Sequence, residues 1–60
     1  MSKQKRILMV DDEPFNLIAL EGLLNHFGFS NLQQAYNGKQ ALDIISQNAQ
    51  SPFDLILTDN

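Results

Sequence analysis

Apolar and polar positions fall in blocks along this chain, each with its own period. Residues 6–10, RILMV, form a short apolar run rich in β-formers. A run with no polar face predicts a strand buried on both sides, as in a parallel sheet. The next block has helical spacing. Leu17, Leu20, Leu24 and Phe27 recur at i, i+3, i+7 and i+10, and Leu23 widens the stripe. An acid at the cap followed by Pro14 marks the start of this helix, because the missing N–H of proline costs nothing in a first turn. Gly28 marks its end, as a residue free to take a left-handed backbone.

Residues 32–36, LQQAY, predict a weaker strand. Asn37-Gly38 is a good hairpin pair, but the residues after it do not read as a strand. Ala41, Leu42, Ile45 and Ala49 have helical spacing, so Asn37 is expected to cap a second helix. Residues 46–52, SQNAQSP, close that helix as a polar loop. Residues 53–58, FDLILT, predict a third strand, again apolar on both faces. The order strand, helix, strand, helix, strand has no repeat and no linker. Such alternation predicts an α/β fold of right-handed βαβ units around a parallel sheet.

Composition narrows the function more than the fold. With 60 residues the chain forms at most one small domain, and a domain of this size buries only about 60% of its unfolded surface. No cysteine is present, so neither disulfides nor a thiolate metal site adds stability. Four basic and seven acidic residues give a net charge of −3, which argues against nucleic acid as a direct partner. Lys3, Lys5 and Arg6 are the only basic cluster. They precede four apolar residues, Ile7 to Val10, too few for a signal-peptide core or a membrane span. The chain is expected to be soluble and cytoplasmic, with no membrane contact.

The chemistry concentrates where strands end. The first strand runs into Asp11, Asp12 and Glu13, and the third into Asp59. Taken singly, an acidic run before a helix is ordinarily a cap, and an Asp after a strand is ordinarily turn chemistry. Together they suggest more. Ligands of an open α/β sheet bind beyond the carboxyl ends of the strands, where strand order reverses. If the first and third strands are neighbours, three carboxylates converge on one edge, and a cation relieves their repulsion. All-oxygen ligation favours Mg²⁺ or Ca²⁺ over zinc.

The stretches ILMVDDEPFN, AYNGKQAL and FDLILTD resemble the first half of a response-regulator receiver domain of two-component signalling, in order and with the usual separations. The resemblance implies a flavodoxin-like βαβαβ fragment with parallel strand order 2-1-3, and residues 1–60 as the N-terminal half of a domain about twice as long. It implies that Asp59 accepts a phosphoryl group. It also implies that Asp11, Asp12 and Asp59 surround Mg²⁺, with Asp12 the direct ligand and Asp11 acting largely through water. The donor would be a phosphohistidine on a sensor histidine kinase or a histidine phosphotransfer protein. The complete domain would catalyse its own phosphorylation and dephosphorylation without being an enzyme in the usual sense. The family's third metal ligand is a backbone carbonyl two residues past the phosphoacceptor. That carbonyl, the hydroxyl residue of strand 4, and the lysine and aromatic switch residue of strand 5 lie outside these residues. Residues 1–60 alone are therefore expected to be a poor phosphoacceptor, marginally folded and prone to edge-to-edge self-association. The alternative is a phosphorylation-incompetent fragment that only binds partners or is inert. A further one is the receiver part of a hybrid histidine kinase, to which Asn16 points.

Other residues are assigned blander roles. His26 suits the dipole at the end of the first helix. Lys39, Glu13, Glu21 and Asp54 are expected at the surface, with Glu13 placed to tune access to a metal. Phe15, Phe27, Phe29 and Phe53 are expected in the core or as staples. Thr58 is expected to face away from Asp59, since strand side chains alternate. Rival folds lack their motifs. No Gly-rich phosphate loop follows the first strand. DDE is not the D-x-D of a haloacid-dehalogenase-like phosphatase, and adjacent acids do not make an EF-hand loop.

Overall fold

A computed structural model describes residues 5–58 of the chain. The elements are β1 (Ile7–Val10), α1 (Pro14–His26), β2 (Leu32–Ala35), α2 (Gly38–Gln47) and β3 (Leu55–Thr58). The sheet has the order β2-β1-β3, and both pairings are parallel. Val10 faces Ala35 on one side and Thr58 on the other. The strand order and the α/β class are those expected. Each strand is shorter than the apolar run that predicts it: Arg6, Tyr36, Phe53 and Asp54 stand outside the ladders.

The two crossovers leave in opposite directions, one from β1 to β2 and one from β2 past β1 to β3. With the same right-handed sense they place their helices on opposite faces. The core divides accordingly. Ile7 and Met9 pack with Leu17 of α1, joined by Leu20, Leu24, Phe29, Leu32 and Leu57. On the other face Leu8 packs with Ala35 and Ala41 of α2, joined by Val10, Ile44 and Phe53. Alternate residues of β1 thus serve alternate layers, and all of Ile7, Leu8 and Met9 are at most 2% exposed.

The cap signals are realised in detail. Pro14 opens α1 after the N-cap Glu13, whose side chain makes no capping bond. Gly28 has φ 95°, and its N–H donates to the Asn25 carbonyl at 3.0 Å while Phe29 N–H donates to the Leu24 carbonyl at 3.0 Å. This is a Schellman ending, with Phe29 and Leu24 as its apolar contact pair. Asn37 caps α2 by accepting from Gln40 N–H at 2.7 Å, and the Gln40 side chain accepts from Tyr36 N–H.

Several burial expectations are corrected. β3 is an edge strand among the described residues, so Leu55 and Ile56 are nearly half exposed rather than covered on both faces. On α1 only Leu17, Leu20 and Leu24 reach the core. Phe15, Leu23 and Phe27 are more than half exposed, because the helix is apolar on more sides than one sheet face can cover. On α2 the inward partner of Ala41 is Ile44, three residues on. Leu42 points outward, Ile45 sits at the boundary, and Ala49 lies beyond the helix end. Glu21 is half-buried rather than solvated and accepts from Gln34 Nε2 at 2.7 Å, tying α1 to β2. Among the described residues no helix is long and apolar enough to cross a membrane.

Candidate functional site

The acids stand at the carboxyl end of the central strand. Asp11 follows Val10 directly, and its N–H still donates to the Ala35 carbonyl at 3.1 Å, so the ladder with β2 fixes where its side chain begins. Its carboxylate is engaged at both oxygens. Oδ1 accepts Glu13 N–H at 2.9 Å, and Oδ2 accepts from Asn16 Nδ2 at 3.2 Å. The first contact is an Asx-type bond to the residue two positions on, and it fixes the N-cap residue Glu13 at the entry to α1. Asp12 differs. It is exposed, and among the described residues its carboxylate has no hydrogen-bond partner. Asp11 is thus engaged at the entry to α1, and the carboxylate of Asp12 is left open to solvent.

Two clefts open at this end of the sheet. One, of about 450 Å³, is lined by Asp11 and Asp12, by Thr58 of β3, and by Tyr36, Asn37 and Gly38 at the start of α2. The other, of about 460 Å³, lies on the α1 side between Asp11, Asn16, Leu20, Leu57 and Thr58. Asp11 and Thr58 border both. The first cleft is the crevice that the strand order predicts: β1 is central, its crossovers leave in opposite directions, and polar groups converge at its carboxyl end.

Asp11 and Asp12 are brought together as expected. Asp59, the third predicted member, lies outside the described residues, immediately after Thr58 in the sequence. No group of three metal-ligating side chains forms among the described residues. Two adjacent carboxylates, one of them exposed, fit a hard cation that keeps several waters. Mg²⁺ is held in that manner, by one or two carboxylates and otherwise by water and phosphate oxygens. Lys39 is exposed in the first turn of α2 and His26 in the last turn of α1; neither lines a cleft. Asp54 is exposed at the opposite end of β3, where it accepts from Arg6 N–H at 2.8 Å.

Three cleft residues escaped the sequence as site residues. Asn37 and Gly38 read only as a helix start, and Tyr36 only as the end of a strand. The bond from Asn16 to Asp11 has a local signal in retrospect. Asn16 occupies the third helical position, from which a short amide side chain reaches back over the N-terminus.

Comparison with protein-family models matches residues 7–60 to the response regulator receiver domain. No curated protein and no solved structure matches the chain.

Proposed function

The chain belongs to the response regulator receiver domain family, and from that membership we propose that it takes a phosphoryl group from a phosphohistidine onto Asp59, with Mg²⁺ held by Asp11 and Asp12. Family membership implies the phosphoacceptor role in two-component signalling. The observation that carries the finer reading is the first cleft. There the paired acids of the central strand share a polar crevice with Thr58, the residue next to Asp59.

The residues can be given roles by their chemistry. A carboxylate oxygen of Asp59 attacks phosphorus in line. The phosphorus–nitrogen bond of the donor imidazole breaks, that nitrogen leaves with the electron pair, and an acyl phosphate forms on Asp59. When bound, Mg²⁺ supplies charge neutralisation and orientation for the phosphoryl oxygens. Asp12, exposed and free of hydrogen bonds among the described residues, would hold the cation directly, and Asp11, engaged at both oxygens, would hold it through water. Asn37 and Gly38 present the start of α2 to the same cleft, where the positive end of the helix dipole favours an anionic phosphoryl group.

Residues 1–60 are on this reading the N-terminal half of the module, and the rest of the five-stranded domain completes the site. The partner is a sensor histidine kinase or a histidine phosphotransfer protein, and the setting is the cytoplasm. The test is transfer from a phosphohistidine donor to the complete five-stranded domain with Mg²⁺. Wild type should acquire an acid-stable, base-labile label, and Asp59→Asn should acquire none. Full labelling of Asp59→Asn would refute the assignment.

A further inference from the structure

The two acids at the end of β1 are chemically unequal, and a neighbouring residue makes them so. Asp11 has both oxygens occupied, one by Glu13 N–H and one by the Asn16 amide, whereas Asp12 is exposed. Asn16 is itself fixed, because its backbone N–H donates to the Glu13 carbonyl at 3.0 Å. Its side chain therefore approaches Asp11 from the α1 side, in the second cleft. Each carboxylate oxygen offers two lone-pair sites. With one taken on each oxygen, Asp11 keeps acceptor capacity for a metal-bound water but cannot close both oxygens on a cation.

We propose that Asn16 is a positioning residue that sets the cation preference of the site, by holding Asp11 one water away and leaving direct ligation to Asp12. The inference rests on the reading of Asp11 and Asp12 as the Mg²⁺ pair. Its physical basis is the difference between the two ions. Mg²⁺ dehydrates reluctantly and is content with few direct protein oxygens, while Ca²⁺ takes six to eight, often including a bidentate carboxylate. Removing the Asn16 amide frees Oδ2 of Asp11 while Oδ1 stays on Glu13 N–H, and so offers one extra direct oxygen that Ca²⁺ can use and Mg²⁺ does not need. Asn16 therefore favours Mg²⁺ by withholding that ligand.

The test is calorimetric titration of the full chain with Mg²⁺ and, separately, with Ca²⁺, for wild type, Asn16→Ala, Asp11→Ala and the double variant. Asn16 is an exposed helical position, where alanine is a better helix former, so the variant should fold. Asn16→Ala is expected to tighten Ca²⁺ binding by about threefold or more while moving Mg²⁺ by less than about twofold. In the Asp11→Ala background the same substitution should move neither ion. An unchanged Mg²⁺-to-Ca²⁺ ratio in Asn16→Ala would overturn the inference, as would an equal change with Asp11 absent. Absence of Mg²⁺ binding by the wild type would instead overturn the underlying reading of the site, and this inference with it.

Discussion

Arg6 and Asp54 are joined twice at the end of the sheet away from the acids. Arg6 N–H donates to Asp54 Oδ2 at 2.8 Å, and Asp54 N–H donates to the Arg6 carbonyl at 2.8 Å. The Arg6 side chain extends the tie. Its guanidinium lies 4.5 Å from the centre of the Phe53 ring, and Nη2 donates to Asn48 Oδ1 at 3.0 Å. Asn48 is the C-cap of α2. One side chain thus links the end of α2, the entry to β3 and the start of β1.

Removing that side chain should cost more than removing the Asp54 carboxylate, which accepts only from the Arg6 backbone N–H. Arg6→Ala loses a charged hydrogen bond and a ring contact, about 2 kcal/mol. Asp54→Ala loses one exposed acceptor, about 1 kcal/mol. Urea unfolding of the full chain checks the order. Equal midpoints for wild type and Arg6→Ala would show that the Arg6 side chain contributes nothing to the tie.

A glycine inside α1 and another just past its end should respond in opposite directions. Gly28 has φ 95°, so Gly28→Ala places a Cβ in the left-handed region and should destabilise by about 1 kcal/mol. Gly22 is exposed within the helix, and an added Cβ there meets nothing within 4 Å. Gly22→Ala should stabilise by about 0.5–1 kcal/mol. Thermal melts of both variants against wild type would reveal the opposed shifts, and shifts of the same sign would contradict the assignment of Gly28 to the helix ending.

The outer edge of β3 predicts self-association of residues 1–60 expressed alone. Leu55 and Ile56 are 47% and 45% exposed, and LILT carries neither charge nor proline to discourage pairing. Sedimentation at rising concentration should show dimers or larger species. Ile56→Lys should shift the population toward monomer. A monomer at every concentration would remove the edge as an attachment site.

Asp12 should matter more than Asp11 for Mg²⁺. Asp11 is already satisfied by Glu13 and Asn16, and Asp12 is open. In the full chain Asp12→Ala should weaken Mg²⁺ binding by about tenfold, equivalent to about 1.4 kcal/mol, with a smaller loss for Asp11→Ala. Titration of both variants ranks them, and a larger loss at Asp11 would reverse the roles.

The features legible in the sequence are those that depend on near neighbours in the chain. The β1 run, the spacing of Leu17, Leu20 and Leu24, the Asn37 cap and the Gly28 ending are local patterns, and each stands as expected. The placement of Asp11 and Asp12 at the end of β1 was legible for the same reason, since strand end and acid pair are adjacent. The misread positions depend on neighbours distant in sequence. An apolar run shows that a strand suits a core, not which strand will be central, so β1 and β3 looked alike although only β1 is covered on both faces. The helix periodicity of α1 is ambiguous because Phe15, Ile18 and Leu23 supply a second apolar side. Arg6 read only as a member of the basic cluster and the first residue of the β1 run, because its partners Asn48, Phe53 and Asp54 are more than 40 residues away. Asn16 and Asp11 are close in sequence, but neither residue alone announces the bond between them.

The identity of the phosphorylated residue tests the functional reading most directly. An acyl phosphate on aspartate is reduced by borohydride to homoserine, whereas a free carboxylate is not. The complete five-stranded domain, labelled by a phosphohistidine donor with Mg²⁺ and then reduced, should yield homoserine at position 59 on peptide sequencing by mass spectrometry. Asp11 and Asp12 should be recovered intact. Homoserine at position 11 or 12, or a phosphoryl group retained on His26 with Asp59 unmodified, would contradict it.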